Sequence, residues 1–379
     1  MSLSLKVVLI ILVVLITVCA ALFVSVIIIK LIQANMERNR KADIKNIKPI
    51  LNKLLSDETV DFFKNHTLGI SKLNAKLKKK TSLQTLEDVL LNILEDSNGE
   101  TKVRVRTIAY HFGFPDKCLS MIRDRFTGNI AIGCRKAGLY QFEDAIPDIL
   151  KALDILSGNT QYQALMALSR IGDANAMIQG FDKIYHLILV NERAINEILD
   201  TFPGDRYKLF KNMIHHHSHY LARLFLKAMD KEIANALIKD IIPICRNGSK
   251  ETRLAGLIAI GRAGGSEEIP ILVRALNDTA WEIRAMAAKT LGVLTGPDAV
   301  TPLVNAACDR EWWVRQNAVT SILAYPDCEK ILISIAQTGD RFAYDSMLYI
   351  LEKAGETKLR ARIEEVWTEK LNSDSLLVG

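Results

Sequence analysis

The most conspicuous chemical grouping in the sequence is a run of histidines near the middle of the chain. Neutral imidazoles bind zinc or nickel, and His215 and His219 are four residues apart, a spacing that places them on one face of a helix. With His217 they form a candidate metal site. Adjacent histidines on a helix point in different directions, however, and the nearest acids, Asp205 and Asp230, are ten or more residues away. A helix-terminal or loop cluster without metal is therefore the favoured interpretation, with a metal site as the alternative.

Other signatures of catalysis are missing from the sequence. It contains no phosphate-cradling glycine loop, no nucleophile motif and no His-Glu-x-x-His arrangement. Aromatic residues interleaved with Lys or Arg, which would indicate binding of single-stranded nucleic acid, are missing too. We therefore expect no enzymatic activity and no cofactor.

Charged residues recur with a 31-residue period in the C-terminal third of the chain. An Asp before a helix can accept hydrogen bonds from the free N–H groups of its first turn, and an Arg one turn later can pair with the Asp of a neighbouring repeat. We expect this ladder to be structural. Its members are Asp278, Asp309 and Asp340, together with Arg253, Arg284 and Arg315.

Tryptophans recur with the same 31-residue period. Trp281 and Trp312 occupy equivalent positions where a loop enters a helix, and Trp313 follows directly. Such residues can cover the seam between repeats, which is the favoured interpretation, or they can dock a partner protein, because exposed aromatic side chains dominate many interfaces. Trp313 has no counterpart at Glu282, so it is the best candidate for a partner contact, with Arg310 beside it.

The repeat itself predicts the elements that carry these residues. Each unit consists of helix A, a glycine-containing turn, helix B and a short loop, and small residues recur within helix A where helices approach closely. One such pair cannot bury its apolar face, so neighbouring pairs must stack. The fold class predicted is all-α, an α-α superhelical solenoid. The two best pairs are predicted at 252–265 with 267–276 and at 281–292 with 298–308.

Weaker copies extend the pattern toward the N-terminus. The stretch 145–153 parallels 268–276, with a proline in the first turn of each predicted helix. We count three secure units and about five degenerate ones, which favours one elongated array over two globular domains. The predicted segments are an anchor at 1–32, a basic helical stalk and connector at 33–80, degenerate repeats at 81–250, well-defined repeats at 251–360 and a C-terminal cap and tail at 361–379.

The clearest copies of the unit carry a family resemblance. The run from Asp278 to Gly292, Asp-Thr-Ala-Trp-Glu-Ile-Arg-Ala-Met-Ala-Ala-Lys-Thr-Leu-Gly, is echoed from Asp309 to Ala318. It resembles HEAT repeats of the type also found in phycobilisome lyases. The resemblance is specific over about residues 250–350 and extends weakly back to about residue 100. It implies a right-handed solenoid whose concave groove docks partners.

The N-terminal segment is predicted to cross a membrane. Val7 to Ile29 is a stretch of 23 residues without a charge, long enough to span a hydrocarbon core of about 30 Å. One alternative is a helix buried in a partner protein. The others are a cleaved signal peptide and a lipoprotein signal ending at Cys19. Both fit poorly, because the apolar run continues ten residues beyond Cys19 and no small-x-small cleavage site follows it.

Positive charge is concentrated directly after this segment. The chain has a net charge of +6, and residues 33–80 hold 12 Lys or Arg against 5 Asp or Glu. Such an excess predicts a cytoplasmic domain with the N-terminus outside, and anionic lipid headgroups as partners. The cysteines, scattered and unpaired in spacing, agree with a reducing compartment. The Lys76 and Lys78–Lys80 cluster fits a solvated loop equally well. The residues predicted at the membrane surface are Arg38, Arg40, Lys41, Lys45 and Lys48.

Together these features predict a single-pass, membrane-tethered scaffold or adaptor that binds cytoplasmic or membrane proteins. A finer expectation is an accessory subunit of a bacterial envelope or polysaccharide-assembly system, by similarity of architecture. The alternatives are a chromophore- or metal-handling factor like the phycobilin lyases, and nucleic-acid docking through the basic stalk. Steep salt dependence of binding to residues 33–80 would distinguish the last of these.

Overall fold

The computed structural model describes residues 3–56, 70–71, 73–75, 77, 80–97, 99–184 and 192–377. These residues are helical almost throughout and contain no β-strand, which confirms the predicted all-α repeat fold. Their contacts divide the chain into two compact units, Met1–Asp148 and Ile149–Gly379.

The first unit begins with one long helix followed by four shorter ones. They are α1 (Leu3–Ser56), α2 (Lys80–Asp96), α3 (Glu100–His111), α4 (Phe114–Ile122) and α5 (Thr127–Tyr140), with a 3-10 turn at Glu143–Ala145. The next helix, α6 (Ile146–Ala152), crosses the boundary between the units.

Helix α1 combines two environments. Its described apolar side chains from Ile11 to Ile32 are exposed, and it is the one described helix that is long and apolar enough to cross a membrane, in the stretch Val14–Leu55. Further along, Ile47 and Leu51 are fully buried in the first unit. The hydrophobic segment and the first core helix are therefore one continuous helix. Of the predicted breaks after it, 65–69 and residues 78–79 lie outside the described residues, and α2 begins at Lys80.

The core of the first unit forms where α2 packs beside α1. Leu86, Leu90 and Leu94 lie at four-residue spacing on α2 and are buried, as helical periodicity requires. The buried guanidinium of Arg104 on α3 donates to the carbonyl oxygen of Leu55 at 3.1 Å, so it supplies a hydrogen bond to the last turn of α1. The end of the long helix is thus held by the unit that it enters.

The second unit is built from helical pairs. Before the regular repeats come α7 (Asn159–Ile171), α8 (Ala174–Ile184), α9 (Glu192–Asp200) and α10 (Arg206–Ile214). Five A helices then follow with their B helices. The A helices are α11 (His219–Ala228), α14 (Lys250–Ala263), α16 (Trp281–Leu294), α18 (Trp312–Ile322) and α20 (Arg341–Ala354). The B helices are α12 (Lys231–Ala236) with α13 (Ile238–Asn247), α15 (Ile269–Ala275), α17 (Val300–Ala307, after a 3-10 turn at Pro297–Ala299), α19 (Cys328–Ala336) and α21 (Thr357–Leu377).

Successive A helices contact one another, and glycine permits the approach. A Cβ atom added at Gly292 on α16 would lie 2.8 Å from the Cα atom of Ser321 on α18, and one added at Gly261 would lie 2.9 Å from Cγ2 of Thr290. The hydroxyl of Ser321 donates across the same seam to the carbonyl oxygen of Ala288 at 2.8 Å. The helices predicted for the two best repeats begin and end within two residues of the observed bounds.

Candidate functional site

The ladder of arginines at 253, 284 and 315 is the most regular polar feature of the second unit. Arg284 is only 6 % exposed, and its Nε and Nη2 groups donate to the two carboxylate oxygens of Asp309 at 2.7 and 2.9 Å. Its Nη1 group donates to the carbonyl oxygens of Asp278 and Thr279. The bond to Asp309 raises the pKa of this guanidinium. Arg284 therefore ties its own loop to the next repeat, and Arg253 likewise donates to the Asp of the repeat that follows it, Asp278.

The last step of the ladder differs from the predicted pairing. Arg315 keeps the bonds to its own loop, from Nη1 to the carbonyl oxygens of Asp309 and Arg310, but its Nε group donates to Ser346 Oγ at 3.1 Å. Asp340, the predicted partner, instead accepts the backbone N–H of Ala343 and caps α20. A serine on the next helix lies closer to the guanidinium than the repeat-equivalent Asp, so the hydroxyl replaces the carboxylate.

The other two aspartates do not cap helices in the predicted manner. Asp278 accepts the N–H of Ala280, and Asp309 accepts the N–H of Glu311, each two residues ahead and just before the helix begins. These are Asx-type turns that shape the loop. The carboxylates thereby stay oriented toward the arginines of the preceding repeat.

The predicted tryptophans are exposed, and two of them join a third ring. Trp312 and Trp313 meet edge to face with centroids 4.5 Å apart, and Trp312 lies 6.0 Å from Tyr349 on the following A helix. We call Trp312, Trp313 and Tyr349 the aromatic patch. Trp313 is 55 % exposed, and Trp281, one repeat earlier, is also exposed. Trp312 thus contributes to the seam between repeats, whereas Trp313 offers most of its surface to solvent.

Exposed charged and apolar side chains lie at or just before the start of the helices that carry this patch. Arg310, named from the sequence, is exposed in the loop before α18, and Arg341 is exposed at the equivalent position one repeat later. Phe342 is exposed as well, with the guanidinium of Arg315 over its ring at 5.4 Å. The repeat pattern does not predict Tyr349 and Phe342, because neither occupies a position where the earlier repeats have an aromatic residue.

The predicted metal ligands His215, His217 and His219 are not brought together. His215 ends α10 and has its Nε2 atom 3.6 Å from Asp240, whereas His219 begins α11, so the residues do not share one helical face. The group that does converge is Asp182, His216 and His217, whose ligand atoms lie within 4.8 Å of one another.

The hydrogen bonds of His216 are those of a structural histidine. Its Nδ1 atom accepts the backbone N–H of Ser218 at 2.9 Å, so the neutral ring carries its proton on Nε2, which donates to Asp182 Oδ1 at 2.8 Å. A metal ion on Nε2 would force the remaining ring proton onto Nδ1, against the N–H of Ser218. Both ring nitrogens of His216 are therefore occupied by hydrogen bonds that metal binding would disrupt.

The predicted membrane-surface residues all lie on α1 and are all exposed. Four of them recur at helical spacing and form one stripe, which we call the basic stripe: Arg38, Lys41, Lys45 and Lys48. This spacing places them on a face of α1 different from the one that buries Ile47 and Leu51. Arg40 lies apart from the stripe and pairs with Asp88 on α2 at 3.4 Å.

Comparisons with known proteins agree with this geometry in one region. Residues 238–324, which include α14 to α18, match the family model described as HEAT repeats. Comparison with curated protein sequences gives no match.

Three solved structures are similar to the chain at low identity. The complex of CpcE and CpcF of phycocyanin lyase from Nostoc sp. PCC7120 has 14 % identity and a TM-score of 0.26, covering 68 % of this chain and 94 % of that one. Human deoxyhypusine hydroxylase in complex with glycerol has 15 % identity and a TM-score of 0.26, with 87 % and 98 % covered. An engineered protein has 13 % identity and a TM-score of 0.31, with 80 % and 98 % covered. Helix pairing, the repeating ladder and the family match thus agree that the chain contains HEAT repeats, which the family model matches at residues 238–324.

Proposed function

We propose that the chain is a membrane-tethered scaffold that docks a protein partner on the aromatic patch, without catalytic turnover. The observation that carries the proposal is the exposure of Trp312, Trp313 and Tyr349 on a repeat whose buried arginine is already satisfied. The side chains of the ladder arginines and aspartates are already used in hydrogen bonds within the repeats. The exposed aromatic rings are therefore the part of this surface that we expect to contact a partner.

The chemistry of the patch favours a partner with an apolar side chain beside an acidic one. Tryptophan and tyrosine are enriched among residues that cost about 2 kcal/mol or more of binding when truncated. Arg310 is exposed in the loop before α18 and Arg341 is exposed at the start of α20, so a guanidinium group lies at the beginning of each helix that carries part of the patch. The bonds from Arg284 and Arg315 hold the loops rigid, so the surface needs little ordering when a partner binds.

The tether in this proposal is the hydrophobic part of α1. Its described apolar side chains from Ile11 to Ile32 are exposed, and a helix that leaves so much apolar surface in water is unfavourable. A bilayer would cover this surface. Lys30 lies near its end, where a long side chain can reach the headgroups. The basic stripe beyond it supports the predicted orientation, with the repeats on the cytoplasmic side.

Helical geometry limits how much of the basic stripe reaches the lipid. If Ile32 marks the edge of the hydrocarbon, an upright α1 places Arg38 about 9 Å, Lys41 about 14 Å and Lys48 about 24 Å beyond it. The headgroup layer is about 5–8 Å thick, and the Debye length is about 8 Å in physiological salt. Attraction to anionic lipid therefore acts mainly through Arg38, Arg40 and Lys41.

A site-specific photo-crosslinker tests partner docking. A photoreactive amino acid placed at Trp313 in the full-length chain, expressed in its native cells, should give one dominant protein adduct in the membrane fraction. The same group at Lys330, a fully solvated position on α19, is the matched control. Equal adducts at both positions, or no protein adduct at Trp313, would contradict docking at the patch.

A further inference from the structure

Exposed aromatic rings mark the beginning of three successive A helices. Trp281 is the first residue of α16, and Trp312, one repeat period later, is the first residue of α18, with Trp313 beside it. Phe342 is the second residue of α20. All four residues are exposed. We call Trp281, Trp312, Trp313 and Phe342 the ring row.

The ladder holds the ring row at one edge of the array. Arg284, one turn into α16, donates to Asp309 in the loop that leads to Trp312. Arg315 bonds carbonyl oxygens of that same loop, and its guanidinium carbon lies 5.4 Å from the centre of the Phe342 ring. The beginnings of α16, α18 and α20 are therefore fixed beside one another.

The step between the rings follows from helix packing. Packed helices lie about 8–10 Å apart, and Gly292 lets α16 and α18 approach closely. Trp281 and Trp312 occupy the same position on their helices, so their Cα atoms are separated by about the same distance. A ligand that uses both steps must therefore present equivalent groups about every 8–10 Å.

A polyproline II helix has this repeat. It rises about 3.1 Å per residue with three residues per turn, so every third side chain returns to the same face after about 9.3 Å. An extended strand returns its side chains to one face after about 6.8 Å and falls out of register within one step. An α-helix repeats after about 10.5 Å over two turns, which is close in length, so the chemistry of the row must separate these two ligands.

The side chains along this edge are aromatic rather than aliphatic. Amphipathic helices insert apolar anchors into hydrophobic grooves, whereas proline-rich segments dock on surfaces lined by aromatic rings. On the described parts of α16, α18 and α20, the large exposed apolar residues are the ring row, Tyr349 and Val293. Val293 lies at the opposite end of α16. The edge thus offers ring faces to prolines and not an aliphatic groove to a helix.

Guanidinium groups stand beside the last two steps of the row. Arg310 and Arg341 are exposed, and neither side chain makes an ion pair or a hydrogen bond with another described residue. Glu311 acts on the ladder instead, because its charge helps to raise the pKa of Arg284, and Asp345 is exposed one turn into α20. A carboxylate next to the prolines would find an available fork of donors in Arg310 or Arg341.

We propose that the ring row binds a proline-rich segment of a partner protein in the polyproline II conformation. The inference rests on the proposed docking of a protein at the aromatic patch and names the class of segment that docks. Prolines three residues apart stack on Trp281 and Trp313, a third proline falls beside Phe342, and an acidic residue of the segment pairs with Arg310. Little ordering is needed, because a polyproline II segment is preformed and the ladder holds the loops.

Selection from displayed peptide libraries tests the proposal. Three libraries of about twelve residues are panned on the full-length chain in detergent micelles, random except for proline at every third position, proline at every fourth, or alanine at every third. The first library should yield about tenfold more binders than either of the others, with Asp or Glu enriched beside the prolines. Trp281→Ala and Trp313→Ala should each lower the affinity of the tightest selected peptide about tenfold.

Two control variants accompany these measurements. Trp281→Phe keeps a ring and should retain most of the affinity, and Phe126→Ala removes an exposed ring from the first unit and should leave the affinity unchanged. Unfolding by urea, followed by circular dichroism, checks that every variant is folded.

Three results would overturn the assignment. They are no binder with prolines three residues apart, a preference for the alanine library, and an affinity that Trp281→Ala leaves unchanged. Photo-crosslinking at Trp313 reports on protein docking separately. A protein adduct there without selection of proline would refute the class of segment alone, whereas the loss of any adduct would refute docking at the patch.

Discussion

Replacing Arg284 with Met tests whether the arginine ladder holds the repeats together. Met retains much of the side-chain volume but removes four hydrogen bonds, two to the carboxylate of Asp309 and two to the carbonyl oxygens of the loop before α16. Asp309 would keep only the backbone N–H of Glu311. The substitution therefore leaves one carboxylate and two carbonyl groups without the guanidinium that donates to them.

The magnitude follows from burial. The side chains of Arg284 and Asp309 are 7 % and 14 % exposed, so the pair is nearly sequestered from water. Removing one partner of a buried ion pair costs about 3–5 kcal/mol, because the other charge stays behind unpaired. Since Asp309 keeps some contact with water, we expect a loss near the lower limit, about 3 kcal/mol in the free energy of unfolding.

Urea unfolding of the full-length chain in detergent, followed by circular dichroism, measures this loss. The matched control is Lys250→Met, because Lys250 pairs with Glu282 at a similar distance of 2.8 Å but on the surface, with side chains 45 % and 30 % exposed. The control should leave the unfolding transition almost unchanged. A loss below about 1 kcal/mol for Arg284→Met, or equal shifts in both variants, would refute the structural role of the ladder.

Three further predictions concern packing, thiol reactivity and pH. Gly292→Ala should destabilise the chain by about 1–3 kcal/mol in the same unfolding assay, because the new Cβ meets the backbone of Ser321, whereas Gly128→Ala, which meets nothing within 4 Å, should not. Burial raises the pKa of the Cys245 thiol to about 12, so iodoacetamide at pH 8 should alkylate it only after unfolding, as measured by peptide mass spectrometry. Burial acts to raise the pKa of Asp309, but the bonds from its arginine and a backbone N–H outweigh burial and lower it. The stability lost in Asp309→Asn should therefore be constant from about pH 7 to 5. It should shrink below about pH 4, where the carboxylate protonates in the unfolded state but stays ionised in the folded state, and the decline should end once the folded-state carboxylate is protonated too.

The repeat architecture was predictable because it depends on residue types that recur at a constant spacing along the sequence. The constant repeat step located the helices at Trp281 and Trp312, and the small residues at Gly292 and its equivalents predicted close helix contacts that the structure contains. Helix length and spacing depend on neighbouring residues, so a single sequence was sufficient. The continuity of α1 from the hydrophobic segment to Ser56 was not predicted, since Pro49 and the charged stretch after Ile32 gave no sign of one uninterrupted helix.

The candidate sites were only partly predictable, because they depend on contacts between distant residues. His216 meets Asp182, and Trp312 meets Tyr349, and neither spacing follows the repeat. The prediction for the last step of the ladder was wrong for another reason. Ser346 lies one repeat after Arg315, at the position of the ladder arginines, and its hydroxyl accepts a hydrogen bond from Arg315. Pairings that depend on how helices pack are settled by tertiary structure.

Affinity purification of the chain from detergent-solubilised native cells tests partner docking at the aromatic patch most directly. The variant Trp313→Ala/Tyr349→Ala removes two rings of the patch, and Phe126→Ala removes an equally exposed ring from the first unit as the matched control. We predict that a protein recovered with the wild type and with Phe126→Ala falls at least tenfold with the double variant, while all three chains unfold at the same urea concentration. Undiminished recovery with the double variant would contradict docking at this patch.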